Sequence, residues 1–323
     1  MNEQQKPDYA KYQQTSPGPA QPGYVAVQPY PQPQAARRER RPLAPLILLG
    51  IILAVSLLLA VGTGVLSLPG QAKMQQGSIA AAPNLRVEGD ADNIRLIATN
   101  GNTISVEATY NNGFLNSDAG QMYTISRSGD TVSISLRQDN RPFALSADQV
   151  NISVPGNTAV ELSTGSSDVV VSDLQVGLKA NVGSGSLKLA DIQGDLDIHT
   201  GSGNIDVKNT SGGSLRAQAG SGSLKIEGAK PQGSTYIQVG SGNVEYRGSL
   251  AGGGNTFKTG SGNLKAYIPA GSSFKLTTST GSGEFKSDFG VGGKDYSGNI
   301  GSNPTSSVEM SSGSGNIELS KEQ

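Results

Sequence analysis

The sequence predicts an all-β solenoid, and three observations carry that expectation. Gly-Ser-Gly recurs from Gly183, Gly201, Gly220, Gly240, Gly260, Gly281 and Gly313, with a degenerate copy at Gly165. Successive starts lie 18, 18, 19, 20, 20 and 21 residues apart, then 32 before the last. A period near 20 marks units that bury their apolar faces only by stacking on neighbours. Copies are followed by an apolar–polar–apolar triplet, as in Leu187-Lys188-Leu189, Ile205-Asp206-Val207 and Val244-Glu245-Tyr246, the two-residue period of a strand. Composition completes the case: 44 Gly, 6 Phe, no Trp and no Cys imply a thin core of Val, Leu, Ile and Ala without disulfide staples.

Taken in order, residues 1–42 form a tail rich in Pro, Gln and Tyr that ends in Arg37, Arg38, Arg40 and Arg41. It has too little aliphatic content for a core, and its prolines oppose helix and sheet, so it reads as disordered. It is a solvated spacer or a docking segment for a cytoplasmic partner.

Residues 43–68 follow as a transmembrane helix. No charge occurs from Leu43 to Leu66, and at 1.5 Å per residue that run gives roughly 36 Å, enough to cross a hydrocarbon core. Pro45 sits in the first turn, where its missing N–H matters little. The apolar run starts too late and is too long for a cleaved signal peptide. The arginines before it, against Lys73 alone just after it, place the N-terminus in the cytoplasm and the remainder outside. The expected location is the cell membrane, single-pass, with an extracytoplasmic C-terminal domain.

A linker is expected over 69–84 and the domain proper over 85–323. Alternating stretches such as Thr103-Ile104-Ser105-Val106 and Val132-Ser133-Ile134-Ser135 are strands, with turns at Asn100-Gly101, Asn112-Gly113 and Gly129-Asp130. Residues 85–150 suit either antiparallel hairpins or early solenoid rungs. In a regular rung Leu196, Ile198, Thr200, Ile205 and Val207 point inward, and Asp195, Asp197, His199, Asp206 and Lys208 outward.

One outward position alternates in sign. The fifth residue after each first Gly is Lys188, Asp206, Lys225, Glu245 and Lys265, and the alternation fails at Lys286 before Glu318. Parallel stacking about 4.8 Å apart would set each Lys between carboxylates. Residues 287–312 break the period and are expected to cap the roll, with Phe289 and Tyr296 over the open core.

Chemistry is sparsely provided. One His and no Cys leave no material for nucleophilic triads. His199 reads as solvated. Asp191, Asp195, Asp197 and Asp206 lie close in sequence and invite comparison with polysaccharide-cleaving β-helices, but no second acid set or Trp platform accompanies them. The Gly-Gly-x-Gly-x-Asp calcium pattern does not occur. No catalytic, cofactor-binding or metal residue is assigned, and a net charge of −1 offers nothing to nucleic acid.

The run Val154-Pro155-Gly156-Asn157 through Glu161-Leu162-Ser163-Thr164-Gly165-Ser166-Ser167-Asp168-Val169, followed by the serial Gly-Ser-Gly units, resembles the bacterial putative-adhesin repeat domain over residues 85–323. That resemblance implies a right-handed parallel β-helix or β-roll on the cell envelope. The function expected is non-catalytic adhesion or envelope binding, to a cell-wall polymer or surface protein. The alternative is an envelope-stress or signalling component whose tail recruits a partner.

Overall fold

The computed structural model describes residues 72–91, 93–111, 122–136 and 149–322. The expected tail, transmembrane helix and first residues of the linker lie outside the described residues. No helix occurs among those described.

The N-terminal region supplies β1 (Ala72–Ala80), β2 (Asn84–Glu88), β3 (Asn93–Thr99), β4 (Thr103–Asn111), β5 (Tyr123–Ser128), β6 (Thr131–Leu136) and β7 (Gln149–Pro155). The regular region follows with β8 (Ala159–Ser166), β9 (Asp168–Ser172), β10 (Gly177–Ser184), β11 (Leu187–Gln193), β12 (Asp195–Ser202) and β13 (Ile205–Gly212). It continues through β14 (Leu215–Ser221), β15 (Leu224–Pro231), β16 (Thr235–Ser241), β17 (Val244–Gly248), β18 (Asn255–Ser261) and β19 (Leu264–Pro269). The C-terminal end adds β20 (Phe274–Ser282), β21 (Phe285–Ser287), β22 (Tyr296–Ile300), β23 (Ser306–Ser314) and β24 (Ile317–Glu322).

These strands form two 12-stranded sheets. From β8 to β19 each rung places its strand before Gly-Ser-Gly in the second sheet and its strand after it in the first. All neighbours there are parallel, as in Leu187↔Ile205 and Leu178↔Leu196, and the register shifts once, between Glu227 and Ala229 where β15 meets β17. The inward and outward residues of the rung at 195–208 fall as the alternation predicts: β12 shows buried Leu196, Ile198 and Thr200 between exposed or half-buried neighbours. Side chains from both sheets make one continuous core.

The repeated glycines answer to the neighbouring rung. A Cβ on Gly203 (φ 143°) would lie 1.9 Å from the carbonyl oxygen of Gly185, and one on Gly201 would lie 2.6 Å from that of Gly183. Backbones pass too closely at this corner for any side chain. The opposite corner uses different residues: Asp173, Asp191 and Asn209 take φ values of 66°, 56° and 54°. Asp and Asn tolerate this left-handed conformation through local hydrogen bonding.

The expected absence of large aromatics from the core holds for the early rungs only. Tyr246, Phe257, Phe274 and Phe285 are fully buried, and the first two touch across the sheets at 5.0 Å. They occupy the region where the repeat has lengthened to 20 and 21 residues, so longer rungs enclose a wider core.

At both ends the chain abandons sequential stacking. β2 lies between β6 and β8, and β3 between β7 and β9. β23 lies between β18 and β20, and β24 between β19 and β21. Residues 85–150 are therefore both things the sequence allowed: parallel rungs (β2, β3, β6, β7) and antiparallel strands (β4 on β7, β5 on β6). The described part of the expected linker, residues 72–84, differs from a linker. It contributes β1, paired antiparallel with β4 over Ala72↔Asn111 to Ala80↔Thr103, and the start of β2. Its Gln, Gly, Ala and Ser content concealed a strand that covers a sheet edge.

The inserted C-terminal rung also corrects the charge ladder. In space Glu318 pairs with Lys265 on one side and Lys286 on the other. The ladder therefore alternates without a break, Lys188, Asp206, Lys225, Glu245, Lys265, Glu318, Lys286. The 287–312 excursion holds β22, antiparallel to β20. Phe289 meets Phe274 edge-on at 5.6 Å, and Tyr296 lies 6.3 Å from Phe285, both packed against the core as expected of a cap.

Candidate functional site

Function has to be sought on the outward faces. On the first sheet a second column stands two residues along from the charge ladder: Lys208, Glu227, Arg247 and Tyr267. On β13, β15 and β17 its signs oppose those of the first column, so the two make a checkerboard there, and Tyr267 ends it on β19. Lys225 Nζ meets Glu227 Oε1 at 2.8 Å along its own strand, pushing the ammonium up and the carboxyl down from their ordinary ranges. Arg247 lies over the Tyr267 ring at 4.1 Å. Such a surface satisfies itself and concentrates no single charge.

On the second sheet, Glu161 of β8 stands between Arg86 of β2 and Lys179 of β10, at 2.9 and 3.0 Å. Hydrogen bonds from Lys179 and then Arg86 hold its carboxyl below the usual range. Asp197 continues the column, with His199 Nε2 at 3.0 Å on the same strand and Arg216 Nε at 3.7 Å on β14.

The four acids singled out from sequence do not converge. Asp195 and Asp197 lie on β12 in the second sheet, Asp191 and Asp206 in the first. Asp195 Oδ1 accepts from Ser214 N at 2.7 Å and so braces a corner. Asp191 is the left-handed corner residue, accepting from Asn209 Nδ2 at 3.0 Å. Asp206 stands in the charge ladder between Lys188 and Lys225. No group of three or more His, Cys, Asp or Glu placed to hold a metal occurs among the described residues.

Sequence reasoning missed one feature. Between the outward side chains of the second sheet and the Gly-Ser-Gly corner runs a shallow trough, lined by Glu88, Ser163, Asn181 and His199 and floored by Gly165, Gly183 and Gly201. Asp90, in the turn after β2, closes one end. Its Oδ1 accepts from Ser166 N at 3.0 Å, Thr164 Oγ1 at 2.9 Å and Gly165 N. Burial alone would raise this carboxyl, but the three donors outweigh it and hold it below its ordinary value. No motif marks Asp90, because its partners lie some 75 residues away.

Comparison with known proteins decides the family. The family model described as Toastrack DUF4097 matches residues 74–320. The chain belongs to the toastrack family. That match begins inside β1 and ends inside β24, so the toastrack domain is the whole two-sheet roll. Among curated proteins nothing matches the chain. Similar solved structures include the following three. One is named a putative lipid binding protein, from Parabacteroides distasonis, at 13% identity and TM-score 0.40, covering 77% of this chain and 97% of that one. Another is a putative adhesin from Bacteroides fragilis, at 12% and 0.35, covering 77% and 97%. The third is a putative cell adhesion protein from Clostridium sporogenes, at 14% and 0.29, covering 77% and 100%. At these identities and scores the likeness carries no argument about what this toastrack protein binds.

Proposed function

We propose that the protein is a membrane-anchored, extracytoplasmic and non-catalytic module for adhesion or binding at the cell envelope. The observation that carries this reading is the pair of outward faces. Each presents polar side chains in register over successive rungs, and the titratable groups are matched neighbour to neighbour instead of being gathered around one point. That arrangement offers contact area, not acid–base chemistry. The uncharged run over 43–68 and the arginines before it support an anchor with the roll outside. The Pro-rich tail at 1–42 favours a second reading, in which the roll senses the envelope and the tail recruits a cytoplasmic partner.

The test is binding of the full chain, purified in detergent, to intact cells and to isolated cell-wall material. Saturable binding that survives deletion of residues 1–36 is the expected outcome. Absence of binding to every envelope fraction would overturn adhesion in favour of signalling through the tail.

A further inference from the structure

The two outward columns of the second sheet differ in kind. The column through Arg86, Glu161, Lys179, Asp197 and Arg216 alternates in charge. Its neighbour, two residues further along each strand, starts at Glu88 and ends at Lys258, and between them runs Ser163, Asn181, His199, Gln218 and Gln238 without a carboxylate, lysine or arginine. Because the rungs stack in register, each column samples one position of the fold several times over. Charge is admitted freely at one position and is absent from five successive rungs at the next. Solubility would be served equally well by Lys or Glu there, so the fold alone does not account for the difference.

Its first three uncharged members, Ser163, Asn181 and His199, are the wall of the trough that ends at Glu88 and Asp90, and Gln218 and Gln238 continue that line past it. Exposed glycines leave the floor bare, and Ser166, Ser184 and Ser202 stand exposed along its other side. Beyond His199 the wall is held in place before any ligand arrives. Arg216 Nε and Nη2 hold Gln218 Oε1 at 3.2 and 3.1 Å. Gln218 Nε2 donates to Gln238 Oε1 at 3.2 Å, and the Tyr236 hydroxyl donates to the same oxygen at 2.5 Å. Arg216 also lies against the Tyr236 ring at 4.8 Å, fixing an aromatic face beside the amides.

We infer that this trough binds a linear, largely uncharged polysaccharide, an inference that rests on the adhesion reading and names its ligand class. Amides and hydroxyls repeating about every 4.8 Å along a line suit a ligand that itself repeats along a line. A glycan strand offers hydroxyl and acetamido groups to Asn181, Gln218 and Gln238, and C–H faces to the glycine floor and the Tyr236 ring. The pre-set amides reduce the ordering that binding would otherwise require. Between Glu88 and Lys258, the five rungs from Ser163 to Gln238 offer a polyanion or polycation no counter-charge in this column.

The full chain in detergent is titrated with chitin oligosaccharides from disaccharide to octasaccharide and with solubilised peptidoglycan glycan strands, beside isolated cell-wall material. Affinity should rise about tenfold or more from the shortest to the longest oligosaccharide, as successive rungs are engaged. Asn181→Lys combined with Gln238→Lys should lower it about tenfold at unchanged melting temperature, and Tyr267→Gln on the opposite sheet should not. Should the lysine pair unfold the roll, Asn181→Ser with Gln218→Ser replaces it, with a smaller loss expected. Equal binding by wild type and trough variants, or binding confined to protein or lipid fractions, would overturn the trough and leave adhesion standing. Absence of binding to any envelope material would overturn both.

Discussion

Between β8 and β19 the neighbour of each rung is the next rung in the chain, whereas at both ends a rung from elsewhere in sequence is inserted. Corner glycines bring neighbouring backbones together in the middle and equally at the inserted C-terminal rung, where Gly313 faces Gly260, so this close approach does not itself choose the neighbour. The end junctions carry close ion pairs across strands. Arg86–Glu161 at 2.9 Å ties β2 to β8, while Lys258–Glu309 and Lys265–Glu318, both 2.9 Å, tie the β23–β24 rung to β18 and β19. Exposed pairs of this kind add little stability, but they discriminate between neighbours, and the ends are where neighbours must be chosen. Sealing the roll with inserted rungs means that neither β2–β3 nor β23–β24 is free to fray, because each is held by two ladders.

The largest test of that difference is deletion. Removing residues 306–322 takes away a rung held on both sides and leaves β20 and β21 without their parallel neighbours. The loss should rival the stability of the whole domain, about 5 kcal/mol or more, and abolish a cooperative urea transition. Removing residues 72–80 takes away one antiparallel edge strand and should leave a shifted but cooperative transition. Equal effects would refute the sealed-end account.

Next in size are two positive-φ glycines, Gly203 at 143° and Gly129 at 58°, with different surroundings. Gly203→Ala puts a methyl 1.9 Å from a carbonyl oxygen of the adjoining rung, whereas nothing lies within 4 Å of a Cβ on Gly129 in the β5–β6 turn. Denaturant unfolding should show a loss of about 3 kcal/mol or more for Gly203→Ala and about 1 kcal/mol for Gly129→Ala.

Charge reversal is smaller and bears on legibility. Asp206→Lys places three lysines in a row and should destabilise more than Asp206→Ala, by about 1 kcal/mol. Glu318→Lys should do the same only because β24 lies between β19 and β21. If Glu318→Lys and Glu318→Ala melt together, the inserted rung has no charge-selected place. The sequence displayed this arrangement in coded form. Lys265 and Lys286 looked like a failure of alternation because chain order was taken for spatial order, and Glu318 was the missing member. The strand periodicity, the inward set from Leu196 to Val207 and the corner glycines were legible because they are local. β1 was not, since its Gln-rich stretch becomes a strand only against β4. The trough was hidden for a related reason: Asn181, His199 and Gln218 form a wall only once rungs 18 or 19 residues apart are stacked.

The smallest predicted effect compares one carboxylate at an end junction with one in the middle. Glu161 and Glu227 both have folded-state pKa values below their ordinary ones, Glu161 through Lys179 and Arg86 on neighbouring strands, Glu227 chiefly through Lys225 on its own. A carboxyl depressed in the folded state contributes its full stabilisation above the unfolded value, about 4.3, and loses it as pH falls through the folded one. Stability should therefore decline on acidification below about pH 4.3. Glu161→Gln and Glu227→Gln should each flatten that decline, by less than about 1 kcal/mol because the groups are partly exposed. Their local consequences should differ. Acidification, or Glu161→Gln at neutral pH, should speed amide hydrogen exchange in β2, which Glu161 ties to the regular rungs through Arg86. Glu227→Gln should leave β2 exchange unchanged, because its close pair with Lys225 lies within β15, in the other sheet from β2. Faster β2 exchange in both variants would show that the junction pair has no local role.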